Sequence, residues 1–164
     1  MAKTIARSRD PSLYEEDFAL WAERQAAILR ARRFSELDLA NLIEEVEDLS
    51  RREREMVESY AEMIVEHLLK LAFSRASRPR RGWQVTVDKQ RAKLARKLTT
   101  NLRNHLEAEL ATIYAGLRRP VARDLGRDGS EQDGLSATCP YTLDQILDPD
   151  WFPDNVHGLT DMVV

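Results

Sequence analysis

The segment Met56–Leu71, "MVESYAEMIVEHLLKL", decides the fold class because its apolar residues recur at the three- and four-residue spacing of one helix face. At 100° per residue the apolar stripe consists of Met56, Val57, Tyr60, Ile64, Leu68 and Leu71. The acidic residues of the same stretch point away from that stripe. The segment therefore predicts an amphipathic helix that buries one face against other helices.

Similar stripes on either side of this segment predict three further helices. Capping boxes, in which Ser, Thr or Asn is followed three residues later by an acidic residue or Gln, mark helix starts. They occur at Ser12–Glu15, Ser35–Asp38, Ser50–Glu53 and Asn104–Glu107, and at Thr142–Gln145 for a short helix. The predicted long helices span residues 12–33, 36–75, 84–100 and 104–119. We expect an all-α antiparallel bundle of four main helices with a short C-terminal helix and an irregular tail.

A chain of 164 residues fits a single domain with one core. We expect that domain over residues 12–153, with a flexible N-terminus at 1–11, a polar loop at 126–141 and a C-terminal tail at 154–164. The only strand-like run, "WQVTV", is too short to form a sheet. The box at Ser50 lies inside the second predicted helix. We therefore predict a bend or restart there, with Glu53 turned back to the backbone.

Cysteine usage and hydropathy exclude several classes of protein. Cys139 is the single cysteine, which rules out an intrachain disulfide and a cysteine-rich zinc module. No run approaches 18 apolar residues, and the first ten residues lack the apolar core of a signal peptide. We expect a cytoplasmic protein without a membrane partner.

The net charge of −3 conceals a strongly uneven distribution. Residues 36–66 carry −8, from eleven acidic and three basic side chains, and residues 67–103 carry +10, from eleven basic and one acidic. Outward faces of opposite charge predict association with another protein chain, including a second copy. Nucleic-acid binding through the basic hinge and the third helix is the alternative. The candidate binding residues are Arg75, Arg78, Arg80, Arg81, Trp83, Lys93, Arg96 and Lys97.

Two polar residues fall where burial makes them costly. Arg91 projects from the centre of an apolar helix face, and a buried guanidinium cannot lose its charge, so we expect a carboxylate from Glu45, Glu47 or Glu53 to meet it. His67 lies about 60° from the centre of its stripe, which indicates partial burial. It is interpreted as a boundary histidine bonded to a neighbouring carbonyl or carboxylate. We predict a cluster of Glu45, His67 and Arg91 that is structural first.

The same cluster supports an enzymatic alternative. A metal-dependent phosphoester hydrolase or nuclease would use Glu44, Glu45 and His67 as metal ligands or base, with Arg91 or Lys70 steadying phosphate. Established metal motifs, nucleophile elbows and phosphate loops are absent from the sequence, and Glu44 is expected on the solvated outer face. We therefore expect no metal and no cofactor, and favour a binding or regulatory module over an enzyme.

Five segments taken together resemble a known bacterial family, domain of unknown function 29. They are "YEEDFALW", "LDLANLIEEVEDL", "HLLKL", "WQVTVDKQR" and "CPYTLDQILDPDWFP", in the family's order over about residues 14–153. The resemblance implies a helical fold and a cytosolic bacterial protein, and it implies no particular activity. The family's motif positions fall on Tyr14, Asp17, Trp21, Glu44, Glu45, His67, Lys70, Trp83, Gln90 and Arg91. The sequence departs from the family's pattern by having Thr99–Leu102 where Ser-Pro often stands, and by its long loop before Cys139.

Overall fold

All regular secondary structure in the described part of the chain is helical. The computed structural model describes residues 11–127, 129 and 135–160. The helices are α1 Pro11–Glu16, α2 Phe18–Arg30, α3 Leu39–Phe73, α4 Arg80–Lys97, α5 Thr100–Arg127 and α6 Leu143–Leu147, with a 3₁₀ turn at Phe34–Glu36. The predicted all-α class, with four long helices and a short C-terminal one, is confirmed.

Parts of three predicted segments lie outside the described residues. These are residues 1–10 of the predicted flexible N-terminus, residue 128 and residues 130–134 of the predicted polar loop, and residues 161–164 of the tail. The described ends of the predicted loop are partly structured. Arg127 still belongs to α5, and Leu135 and Tyr141 are buried in the core.

Asp17 divides the first predicted helix into α1 and α2. Its backbone is not helical, and its side chain accepts a hydrogen bond from the amide of Leu20 at 3.0 Å. A short polar side chain that caps the next helix in this way competes with continuation of the preceding one. The box at Ser35 also does not start a helix directly, since a 3₁₀ turn precedes α3.

The restart predicted at Ser50 is wrong, because α3 is helical from Leu39 to Phe73 without interruption. Glu53 does not cap the backbone; its side chain is exposed and lies 3.7 Å from the Nζ atom of Lys97. A Ser and a Glu three residues apart are also neighbours on the surface of an uninterrupted helix, so the spacing alone does not identify an end.

Helices α4 and α5 begin earlier than predicted. Part of the arginine-rich hinge forms the first turn of α4, which starts at Arg80 directly after Pro79. Helix α5 starts at Thr100 and continues through Pro120 to Arg127, so the box at Asn104 lies inside it. Proline removes one backbone donor but is accommodated here at an exposed position.

The chain divides into two compact units, Met1–Arg52 and Glu53–Val164. In the second unit the core combines residues of α3, α4, α5 and α6 with Leu135 and Tyr141. Its largest fully buried side chains are Tyr114, Ile64, Leu68, Leu69, Leu71, Leu94, Leu106, Leu125, Leu143 and Ile146. In the first unit α2 buries Trp21, Gln25 and Ile28.

The C-terminal tail satisfies the free carbonyl groups at the end of α3. The side-chain amide of Asn155 donates to the carbonyl oxygens of Leu71 and Ser74 at 2.8 and 2.9 Å, and the backbone amide of Val156 donates to Ala72 at 2.9 Å. The Nη1 group of Arg80 also donates to Leu71, at 2.8 Å. The end of α3 is therefore capped by residues distant in sequence rather than by its own neighbours.

None of the described helices is both long enough and apolar enough to cross a membrane.

Candidate functional site

Arg91 is the most completely buried charged side chain that the sequence singles out, with 5% of its surface exposed. Its Nε atom donates to the carbonyl of Ile146 at 2.9 Å, and Nη2 donates to those of Gln145 and Trp151 at 3.1 and 2.9 Å. The guanidinium also stacks on the ring of Phe152, 4.9 Å from its centroid. Through these contacts Arg91, on α4, binds the segment that contains α6.

The carboxylate predicted to meet Arg91 is replaced by backbone carbonyls. The side chain of Arg91 points inward, as predicted. Its hydrogen-bond partners, however, do not include Glu45, Glu47 or Glu53. Burial lowers the pKa of Arg91, and the negative charges of Asp88 and Asp148 partly oppose that shift. Carbonyl oxygens accept from a planar fork of donors without the desolvation of a second charge.

His67 makes a local hydrogen bond within α3. Its Nδ1 atom lies 2.8 Å from the carbonyl oxygen of Met63, which can only accept, so Nδ1 carries the proton. This agrees with the interpretation as a boundary histidine. Among the described residues of the unit Glu53–Val164, His67 and Arg91 bond separate backbone carbonyls and not each other, so these two members of the predicted cluster are not joined.

Glu45 belongs to an aromatic group in the first unit. It accepts a hydrogen bond from the hydroxyl of Tyr14 at 2.6 Å, and that bond, with the nearby negative charges, raises the pKa of Tyr14 to about 12. The ring of Tyr14 packs edge-on against Trp21, 4.8 Å between centroids. Glu44 is exposed, as the helical periodicity predicts.

Lys70 is the candidate that lines a pocket. Its Nζ atom pairs with Glu66 at 2.6 Å and with Asp124 at 3.1 Å. Burial acts to lower the pKa of Lys70, but hydrogen bonds to Glu66 and Asp124 outweigh it and raise that pKa above its ordinary value. The pocket, of about 350 Å³, is lined by Lys70, Ser74, Ala76, Pro79, Trp83, Asp124, Leu125 and Arg127.

A metal site built on the predicted residues is not assembled. Within residues 11–127, 129 and 135–160, no three His, Cys, Asp or Glu side chains form a group that could hold a metal ion. Glu45 is engaged by Tyr14, and His67 by the carbonyl of Met63. The hydrolase alternative therefore gains no support from the geometry of Glu44, Glu45 and His67.

Most of the chain matches the model of a known protein family. Residues 13–152 match the family described as "Domain of unknown function DUF29". The chain belongs to this family. The match confirms the resemblance found in the five sequence segments and covers nearly the same span. The chain matches no curated protein and no solved structure.

Seven of the motif positions of this DUF29 protein fall in three places. In the first unit Tyr14 contacts both Glu45, through a hydrogen bond, and Trp21, through ring packing. Lys70 and Trp83 line the pocket of the second unit. Gln90 and Arg91 are adjacent and buried on α4, where Gln90 Oε1 and Arg91 Nη1 have no hydrogen-bond partner within the described part of the chain.

The predicted separation into one acidic and one basic surface is only partly correct. Opposite charges do meet within the chain, since Lys97 lies near Glu53 and Lys70 pairs with Glu66, and the ring of His105 forms a hydrogen bond with Glu58. Part of the acidic side of α3 is therefore engaged within the chain, by Lys97 of α4 and His105 of α5.

The candidate basic residues divide by exposure. Arg80 is buried as a cap of α3, and Trp83 is half-buried against the core, so neither belongs to an exposed basic surface. Lys93 is exposed with its Nζ atom 5.6 Å from the centroid of the Tyr60 ring, and Arg96 is exposed and donates to the carbonyl of Ala92. The other exposed members are Arg75, Arg78, Arg81 and Lys97.

An exposed apolar stripe on α3, formed by Leu39, Ile43, Val46 and Leu49, was not anticipated. These side chains are 58%, 49%, 59% and 60% exposed, although their spacing predicts burial against the bundle. They cover about 120° of the helix at 100° per residue. Helix α2 packs in the same unit, yet it leaves this face open to solvent.

Proposed function

We propose that this DUF29 protein is a binding module that self-associates. In this assembly the exposed apolar stripe of α3 (Leu39, Ile43, Val46 and Leu49) packs against the outer face of α4 in a second copy. The observation that carries the proposal is the distribution of exposed apolar residues. Eight of the eleven large apolar side chains exposed in the described chain lie between Phe18 and Leu49. We further infer a bacterial, cytoplasmic setting from the family resemblance.

Burial of the stripe supplies the driving force. Removing one Val, Leu or Ile side chain from water is favourable by about 1.5–3 kcal/mol. A contiguous apolar patch with a polar border is typical of a protein-binding surface rather than of ordinary solvent-exposed helix. Four such residues on successive turns offer the ridge that a partner helix requires.

Charge complementarity selects a second copy as the occupant. Glu47 is exposed at one edge of the stripe, about 40° from Ile43 at 100° per residue, which favours a basic helix as its partner. The outer face of α4 meets that requirement within this same chain. Lys89 and Arg96 are exposed there, and Val85, next to Arg96 in direction, is 42% exposed. At 100° per residue these three lie within about 40° of one another.

Sedimentation velocity of the full chain over a range of concentrations tests the proposal. We expect the mass to rise with concentration, and Val46→Glu to weaken association by at least about tenfold because a charge would be buried at the interface. Val156→Glu is the matched control: Val156 is 61% exposed but belongs to the tail, so this variant should associate like the wild type.

A wild-type chain that stays monomeric at high concentration would overturn the proposal. Binding of that monomer to anionic vesicles, lost in Val46→Glu, would instead assign the stripe to a membrane surface. Equal association of Val46→Glu and wild type would place the contact elsewhere and would equally refute it.

A further inference from the structure

The pocket at the C-terminal end of α3 has the size and lining of a small-molecule site. Its volume of about 350 Å³ lies within the range of ligand pockets. Three elements form it: the last turn of α3 with Lys70, the first turn of α4 with Trp83, and the end of α5 with Asp124 and Arg127. It belongs entirely to the unit Glu53–Val164, so it is separate from the apolar stripe of α3.

The charged side chains of the pocket have more donors than acceptors. Each carboxylate oxygen of Asp124 has a cationic partner, with Oδ2 3.1 Å from Nζ of Lys70 and Oδ1 3.1 Å from Nη1 of Arg127. The ammonium group of Lys70 has three donors, of which Glu66 and Asp124 take two. Arg127 has five donors, and Asp124 accepts from Nη1. The bridging carboxylate thus holds two cations together while leaving donors for a ligand.

Trp83 supplies an apolar wall beside these donors. It is half-buried and packed against the core, which fixes the ring. Leu125, Ala76 and Pro79 complete the apolar part of the lining. A fixed aromatic ring next to cationic donors that have no acceptor among the described residues suits a ligand that is flat at one end and anionic at the other.

We propose that this pocket binds a small planar anion, a ring that carries one phosphate or carboxylate group. The ring packs on Trp83, and the anionic group accepts hydrogen bonds from Lys70 and Arg127. Neither group undergoes a reaction in this proposal; the site is for binding.

Isothermal titration calorimetry of the full chain at low salt tests the site with two pairs of probes. Adenosine 5′-monophosphate is compared with adenosine, and naphthalene-2-carboxylate with its uncharged carboxamide. We expect at least one anion to bind, and its neutral counterpart to bind about tenfold or more weakly, because the charge-assisted hydrogen bonds are lost. Raising the salt concentration should lower the affinity for the anion and leave the affinity for the neutral probe unchanged.

Arg127→Gln is the principal variant because Arg127 is 74% exposed and its loss leaves the core intact. We expect about a tenfold loss of affinity for the anion. Arg123→Gln, on the same helix and also exposed, is the matched control and should bind normally. Trp83→Leu should weaken both members of a probe pair equally. Val46→Glu should bind like the wild type, since the apolar stripe is not involved.

Three results would overturn the proposal. They are the absence of binding by all four probes at millimolar concentration, equal affinity for anion and neutral counterpart, and unchanged anion affinity in Arg127→Gln. None of these results depends on self-association, so the experiments test the ligand site and the proposed function independently.

Discussion

At the scale of single residues, Arg91 is held by a set of acceptors that suits only a guanidinium. Carbonyl oxygens of Ile146, Gln145 and Trp151 receive its donors from different directions, while Phe152 covers the planar face. Lysine carries its charge on a compact group that cannot match this fork and stack together. The burial of a cation is tolerated here because hydrogen bonds to charged donors are stronger than those between neutral groups.

Arg91→Lys should therefore destabilise the protein by about 2–4 kcal/mol, because buried carbonyls lose their donors. Arg91→Met should lower the free energy of unfolding by at least as much. Arg96→Met, an exposed change on the same helix, should stay within about 0.5 kcal/mol of the wild type. Urea unfolding followed by circular dichroism measures all three. A stability of Arg91→Lys equal to that of the wild type would contradict this role for the guanidinium.

The inward direction of Arg91 could be predicted from helical periodicity, but its partners could not. Periodicity describes which face a side chain occupies, and every candidate partner considered was another side chain. The actual acceptors are main-chain groups more than 50 residues away along the chain, and every residue type carries such a group. The partner of His67 was easier to predict, because the acceptor, the carbonyl of Met63, lies one turn earlier on the same helix.

At the scale of elements, the end of α3 depends on the C-terminal tail. Asn155 uses both ends of its side chain: its amide group donates to Leu71 and Ser74, and its Oδ1 accepts from the amide of His157 at 2.9 Å. The residue thus caps a helix and closes a turn of the tail at once. Four carbonyl groups of any helix end need such partners.

Asn155→Asp should destabilise the protein by about 1–3 kcal/mol, because a carboxylate cannot donate to the carbonyls of Leu71 and Ser74. It also places a negative charge at the negative end of the α3 dipole. Asp154→Asn is the control, since Asp154 is exposed. Hydrogen exchange of the last turn of α3 should accelerate only in Asn155→Asp. Unchanged protection there would show that the tail is not a cap.

The sequence predicts the number and order of helices well and their ends less well. Boxes at Ser50 and Asn104 lie inside helices, since residues three apart are also neighbours on a continuous helix surface. The box at Thr142 has the predicted geometry, since its side chain and backbone bond reciprocally with Gln145. The C-terminal end of α5 was missed, and with it the pocket residues Asp124 and Arg127, because Pro120 is typical of a helix boundary.

At the scale of the whole molecule, the two units differ in how far they bury their apolar helix faces. The unit Glu53–Val164 buries its stripes in one core, whereas the unit Met1–Arg52 leaves Leu39, Ile43, Val46 and Leu49 exposed. Periodicity predicted an amphipathic helix correctly in both units. It could not specify what covers the apolar face, because a stripe that meets its own bundle and one that meets a partner have the same spacing.

A charge-exchange experiment tests self-association most directly. Glu47→Lys reverses the charge at the edge of the apolar stripe, and Lys89→Glu/Arg96→Glu reverses the outer face of α4. Each variant alone should associate about tenfold or more weakly than the wild type, since like charges then oppose each other. Mixed in equal amounts, the two variants should recover a mixed complex of wild-type strength by sedimentation, because every interface then pairs opposite charges. Failure of the mixture to associate, with each variant folded, would contradict the proposed assembly.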